Sequence, residues 1–214
     1  MSLWVKICGN TSLDDALLAA DAGADAVSFV FAPSPRRMTP EQVAAIVPHL
    51  PPRTEKIGVF VDASFELISA TVEAAGLTGV QLHFQAVPDL PSRLKQRFGQ
   101  ALRVLRVVHF ETGNAEMIGN DANVDAVLVD SRTVTAVGGT GRVFDWEAAS
   151  KTLFQNGKER RLVAAGGLTP QNVAKAIATL RPWGVDVVSG VEAAPGCKDP
   201  AKVRAFIANA RATW

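Results

Sequence analysis

Residues 3–31 read LWVKICGNTSLDDALLAADAGADAVSFVF, and this stretch contains the unit from which the rest of the chain is built. A β-branched apolar run at 3–8 is followed by an alanine-rich amphipathic segment at 12–22 and a second apolar run at 25–31. Short apolar runs of this kind read as buried strands, and the segment between them reads as a helix. Gly23 stands where a left-handed C-cap closes a helix, as Gly76 does further on.

The same alternation runs on to the other end. Further strands are predicted at 56–61, 79–83, 102–108, 124–129, 161–165 and 185–189, with helices at 40–47, 64–75, 88–98, 113–120, 145–154, 170–180 and 199–212. Thr39-Pro40, Thr169-Pro170 and Asp199-Pro200 each put a side-chain acceptor just before a proline already set to helical φ. Eight strand–helix units in 214 residues leave roughly 27 residues each, close to the minimum βαβ length. Alternation without a linker implies an α/β protein with a parallel sheet, and eight units close into a (β/α)8 TIM barrel, a single domain over residues 1–214. A doubly wound open sheet shows the same alternation and is the competing architecture.

Composition narrows the function. With 22 Lys+Arg against 21 Asp+Glu, the net charge of +1 gives no basic field for nucleic acid or an anionic membrane. No apolar run reaches bilayer length, and MSLWVKICGN lacks the apolar core of a signal peptide, so a soluble, cytoplasmic protein is expected. The only cysteines, Cys8 and Cys197, cannot make a disulfide framework or a cysteine metal cluster, and no histidine has metal-ligand spacing; no metal is expected.

In a barrel, chemistry belongs at the C-terminal ends of the strands. Cys8, Asp62, His83 and Asp130 fall there. Strand alternation turns Val5 and Ile7 towards the helices and Lys6 and Cys8 inward; it turns Gln81, His83 and Asp186 inward as well. Lys6 and Asp186 on neighbouring strands predict a buried ion pair below the pocket. Cys8 reads either as a packed small hydrophobe or as a reactive thiol whose cationic neighbour favours thiolate. Asp130 reads either as a turn residue or as an acid, and His83 and His109 as structural or loop residues rather than catalysts. Glycine turns follow strands seven (AGGL, 165–168) and eight (SGVE, 189–192), where barrels build phosphate sites from backbone N–H groups. Arg36 and Arg37, after strand two, are either solvated charge or holders of an anionic substrate group.

These residues, taken in order, resemble a known family. VKICG (5–9), GADA (23–26), FVF (29–31), SPR (34–36), VFV (59–61), VQLH (80–83), LVD (128–130), GGTG (138–141), FDW (144–146), AGGLTPQNV (165–173), VDVVSGVE (185–192), Pro195-Gly196 and Lys198-Asp199 are similar to the motifs of phosphoribosylanthranilate isomerases. The resemblance spans nearly the whole chain. It implies the barrel fold and a cofactor-free Amadori rearrangement of N-(5′-phosphoribosyl)anthranilate to 1-(2-carboxyphenylamino)-1-deoxyribulose 5-phosphate, in tryptophan biosynthesis. It further implies Cys8 as general base, Asp130 as general acid, Arg36 on the anthranilate carboxylate, and backbone around Gly167, Ser189 and Gly190 on the phosphate. His83 is counted with the substrate-binding residues, and the 138–141 loop as a cover over the pocket. The partner expected is the small-molecule substrate phosphoribosylanthranilate, with the chain a monomer or homodimer.

Four positions depart from the family's usual residues: Phe84 and Ser28 replace glycines, Asp62 an asparagine and Val188 a serine. The competing functional readings are a metal-dependent sugar-phosphate epimerase and a non-catalytic or degenerate barrel that binds an anionic sugar phosphate. A broader isomerase that also takes the related aminoimidazole ribonucleotide is a further variant.

Overall fold

Eight parallel strands close into a barrel in chain order: β1 (Trp4–Ile7), β2 (Ala26–Val30), β3 (Glu55–Val61), β4 (Gly79–His83), β5 (Arg103–Phe110), β6 (Ala126–Ser131), β7 (Leu162–Ala164) and β8 (Gly184–Val187). The computed structural model describes residues 2–83, 89–110, 121–131, 145–155 and 160–214. The helix expected at 113–120, the loop at 138–141 and Phe84 lie outside the described residues. Pairing of β1 with β8, from Trp4 opposite Gly184 to Ile7 opposite Val187, closes the ring and excludes the open doubly wound sheet. Helices α1 (Leu13–Asp21), α2 (Pro40–Ile46), α3 (Phe65–Ala75), α4 (Leu90–Phe98), α5 (Trp146–Ala149), α6 (Val173–Leu180) and α7 (Pro200–Thr213) lie between and after the strands.

Alternation along the strands divides the core in two. Val5, Ile7, Val27, Phe29, Val185 and Val187 point outward and are buried with the inner faces of the helices. Trp4, Ala26, Ile57, Leu105, Ala126, Leu128 and Val163 point inward and fill the barrel's interior. A filled interior leaves the chemistry at one end.

Local signals explain most of the helix ends. Thr39 and Gln42 form a reciprocal capping box at α2, and Asp199 accepts from the N–H groups of Ala201 and Lys202 at α7. The Thr169-Pro170 start differs from its expectation, since α6 begins at Val173. Asn172 is the reason: its Oδ1 accepts from the Thr169 N–H at 2.8 Å and its Nδ2 donates to the Gly167 carbonyl at 2.9 Å. That amide braces the turn after β7 instead of letting the helix begin there. The helix expected at 145–154 is α5 followed by a π-helical turn, Ser150–Phe154.

Strand starts share one device. Asp25 Oδ2 accepts from the Val5 N–H at 2.7 Å and from Arg211 Nη2 at 2.7 Å. Asp125, in the same Asp-Ala-Val context, accepts from the Val104 N–H at 2.7 Å and from Lys95 Nζ at 2.7 Å. In both places a carboxylate just ahead of one strand satisfies the second N–H of the strand before it, and a helix cation neutralises the charge.

After β8 the chain makes a 3-10 turn, Ser189–Val191, and a short antiparallel hairpin, β9 (Glu192–Ala194) with β10 (Cys197–Lys198). This hairpin is an addition to the eight strand–helix units expected from the sequence. It bears directly on the site.

Candidate active site

A cavity of about 460 Å³ opens at the C-terminal ends of the barrel strands. Cys8, Arg36, His83, Asp130, Gly167, Ser189 and Gly190 all line it, as do Asp62 and Val188. Arg37 is absent from that lining.

Cys8 follows β1 and is held from both sides. Its N–H donates to the Val187 carbonyl at 2.9 Å, while the N–H groups of Gly9 and Asn10 donate to the Ser28 carbonyl at 3.0 Å each. Gly9 has φ of 72°, and a side chain there would meet the Arg36 Cδ at 2.8 Å. Glycine therefore allows both the turn and the passage of the arginine arm above it.

Below Cys8 lies the predicted ion pair. Lys6 Nζ donates to Asp186 Oδ1 at 2.7 Å, with Lys6 fully buried. Burial opposes the Lys6 charge, but Asp186 and the Cys8 sulfur outweigh it and hold the ammonium above its ordinary value. For Cys8 the balance goes the other way. Burial pushes the thiol up; Lys6, the Ser28 hydroxyl and Lys198 pull it down without cancelling that rise. The cationic neighbour is present as expected, yet the net effect is towards the thiol rather than the thiolate.

Arg36 is not free at the rim. Glu192 takes its guanidinium in a two-pronged bond, Nε to Oε1 at 2.7 Å and Nη2 to Oε2 at 2.6 Å. Lys198 Nζ adds a bond to Glu192 Oε1 at 3.2 Å and another to the Cys8 carbonyl at 2.6 Å. Burial raises the Glu192 carboxyl, but its bonds to Arg36 and Lys198 prevail and hold it below the usual carboxylate range. The hairpin thus links the arginine to the backbone of the cysteine. Neither Glu192 nor Lys198 received a role from the sequence, although an acid and a lysine six residues apart around Pro-Gly were a readable signal of a hairpin pair.

His83 is pulled down to about 4 by burial, the neighbouring His109 and Lys6, so it is neutral at physiological pH. Gln81 Nε2 lies 3.0 Å from its Nε2 and fixes the ring. Asp130, one residue before the end of β6, is in register with His109, and it is buried with its surface on the cavity. After the neighbouring strand β7, Gly166 and Gly167 both adopt positive φ, 77° and 65°. A side chain at Gly190 would lie 1.9 Å from the Leu168 carbonyl oxygen, so the two turns touch. Asp62 is also left-handed, with φ of 48°, a conformation an asparagine or aspartate tolerates best after glycine. Among the described residues no three His, Cys, Asp or Glu side chains converge to hold a metal ion, and no helix is long and apolar enough to cross a membrane.

Fold and site together define a (β/α)8-barrel enzyme with an acid, a thiol and an anchored arginine around one mouth. The family profile for N-(5′-phosphoribosyl)anthranilate (PRA) isomerase matches residues 5–209, and this chain belongs to that family. The N-(5′-phosphoribosyl)anthranilate isomerase of Pelobacter propionicus is 48% identical over 210 residues, covering 98% of this chain and 96% of the relative. The crystal structure of phosphoribosyl anthranilate isomerase from Thermus thermophilus superposes with a TM-score of 0.84 at 37% identity, covering 97% of this chain and 98% of that one. A phosphoribosyl anthranilate isomerase in complex with reduced 1-(o-carboxyphenylamino)-1-deoxyribulose 5-phosphate gives 0.79 at 35% identity, covering 98% and 99%. The activity is the aldose–ketose isomerisation of phosphoribosylanthranilate in tryptophan biosynthesis. The non-catalytic and epimerase readings lose their ground.

Proposed function

We propose that Cys8 and Asp130 divide the proton transfers of this isomerisation between them. One observation carries the reading: Cys8 directly follows β1 and Asp130 lies on β6, three strands apart around the ring through β8 and β7, and both border a single cavity. A substrate lying across the mouth meets an acid on one side and a base on the other. Asp130 gives its proton to the furanose ring oxygen as the C1′–O bond breaks, and the anilino nitrogen supplies the electron pair that forms the iminium. The iminium acidifies the C2′ hydrogen, which Cys8 removes as thiolate. The resulting enolamine takes a proton at C1′ and loses one from the C2′ hydroxyl, giving the ketone.

Binding groups follow the same division. The two bonds to Glu192 use Nε and Nη2 of Arg36, and its remaining Nη1 edge serves the anthranilate carboxylate. Backbone around Gly167, Ser189 and Gly190 receives the phosphate, and neutral His83 borders the sugar without adding charge. A raised thiol pKa makes the thiolate scarce before substrate binds and a strong base once formed.

The test is the loss of phosphoribosylanthranilate fluorescence on mixing with wild type, Cys8→Ser and Asp130→Asn. Each variant is expected to fold and to lose at least ~10²-fold in kcat. Near-normal turnover by either removes that residue from the mechanism.

A further inference from the structure

The floor beneath Cys8 holds a polar atom that the mechanism so far leaves unused. Ser28 lies within β2 with no exposed surface, and its hydroxyl makes no hydrogen bond among the described residues. Its carbonyl, by contrast, is crowded with donors: the N–H groups of Gly9 and Asn10, and Asn10 Nδ2 at 3.2 Å. A buried hydroxyl without a partner is costly, and here alanine or glycine would fill the same backbone position without that cost.

Register identifies the neighbour. Lys6 stands opposite Ala26 and Ile7 opposite Val27, so the next step of the ladder brings Cys8 beside Ser28. Val27 and Phe29 pack outward against the helices while Ala26 faces the interior, which turns Ser28 inward, the same way as Cys8. Adjacent inward side chains in a sheet start from backbones only about 4.8 Å apart. A neutral thiol is a weak acceptor, so the hydroxyl has little to bond to before the reaction begins. A thiolate is a strong one.

We infer that Ser28 is a positioning residue for the base: its hydroxyl donates to the Cys8 sulfur once the proton has left, holding the thiolate in place and easing its formation. The direction of its effect on the thiol agrees, since the Ser28 contact lowers the Cys8 pKa. It acts among four charged groups that also face the sulfur: Lys6 on β1, Asp186 on β8, Lys198 on β10 and Arg36 after β2. Of these groups only Ser28 offers a neutral donor, so its contribution adds no charge to the floor. The inference rests on the reading of Cys8 as the base.

The experiment compares wild type with Ser28→Ala. Iodoacetamide alkylation of the unliganded protein is followed against pH, with Cys8 and Cys197 resolved by peptide mass. Ser28→Ala is expected to move the Cys8 midpoint up by about one unit and leave Cys197 unmoved. The acid limb of the kcat/KM profile is expected to move with it, while KM at high pH and the melting temperature stay at wild-type values. An unchanged Cys8 midpoint overturns the inference. A midpoint that moves while the turnover profile stays fixed overturns the base reading of Cys8, and with it Ser28's part in turnover. Loss of melting temperature with no midpoint change assigns Ser28 to packing alone and also overturns it.

Discussion

Lys6 Nζ lies 2.7 Å from Asp186 Oδ1 at register-matched positions of the first and last barrel strands. The pair closes the barrel's seam and lies next to the thiol. Both residues are almost completely buried, so removing one partner leaves a charge without compensation. Lys6→Met and Asp186→Leu are each expected to cost about 3–5 kcal/mol of stability. The double variant Lys6→Met/Asp186→Leu is expected to recover most of that loss, because no charge is left behind. Urea unfolding of the three proteins checks this, and additive losses in the double variant would show that the pair is not coupled. Lys6→Met also removes the cation that lowers the Cys8 pKa, so its alkylation midpoint moves up.

Glu192 holds the Arg36 guanidinium through two bonds, so its effect on the reaction passes through substrate binding. Glu192→Gln keeps the shape and loses the charge. It is expected to raise KM about 10-fold or more while kcat changes only a few-fold, since a remote carboxylate contact acts on ground and transition states alike. Arg36→Ala is expected to raise KM further. Steady-state kinetics on both variants checks the order, and a fall in kcat at constant KM would move Glu192 from binding to chemistry.

His83 is expected to make the fold acid-sensitive. Its folded value of about 4 lies below the ordinary 6.5, so between those values the unfolded chain binds a proton that the folded chain refuses. Stability from this group is complete above pH 6.5 and falls by at most about 3 kcal/mol as the pH drops to about 4. His83→Gln is expected to flatten that part of the stability curve relative to wild type. Chemical denaturation at a series of pH values measures the difference, and parallel curves for the two proteins would refute it.

Gly190 has no room for a methyl group, with the Leu168 carbonyl oxygen 1.9 Å from the nearest Cβ position. Backbone cannot yield as a flexible side chain does, so Gly190→Ala must separate the turns after β7 and β8. The expected result is a KM raised at least ~10-fold and a stability loss of about 2 kcal/mol. Competitive inhibition by inorganic phosphate is expected to weaken in parallel. A variant with wild-type phosphate inhibition would remove these turns from the phosphate site.

Much of this arrangement was legible from strand alternation alone. Two-residue periodicity turned Lys6 and Asp186 inward, and two opposite charges on adjacent buried strands have to meet. Capping chemistry located α2 and α7, because Thr39 and Asp199 act within three residues of themselves. Glu192 escaped the reading because its partners are distant in the chain: Arg36 lies 156 residues away. The late start of α6 escaped for a different reason. Asn172 has a choice between capping the helix and bracing the loop before it, and nothing local decides between them. The balance at Cys8 was also beyond the sequence, because a neighbouring cation can be read from spacing, whereas the depth of burial that outweighs it cannot.

The same closing seam sets an order of events during synthesis. Lys6 is made 180 residues before its counter-charge, and Lys198, which grips the Cys8 carbonyl, follows that cysteine by 190. A nascent chain therefore carries the thiol and its lysine through all of that interval with neither partner available. Contacts between such distant positions form late, because closing the loop between them costs entropy before it yields any bond. The thiol acquires its folded acidity only when the last strand and hairpin dock, so a chain stalled before residue 184 presents Cys8 as an ordinary reactive cysteine and not as a base.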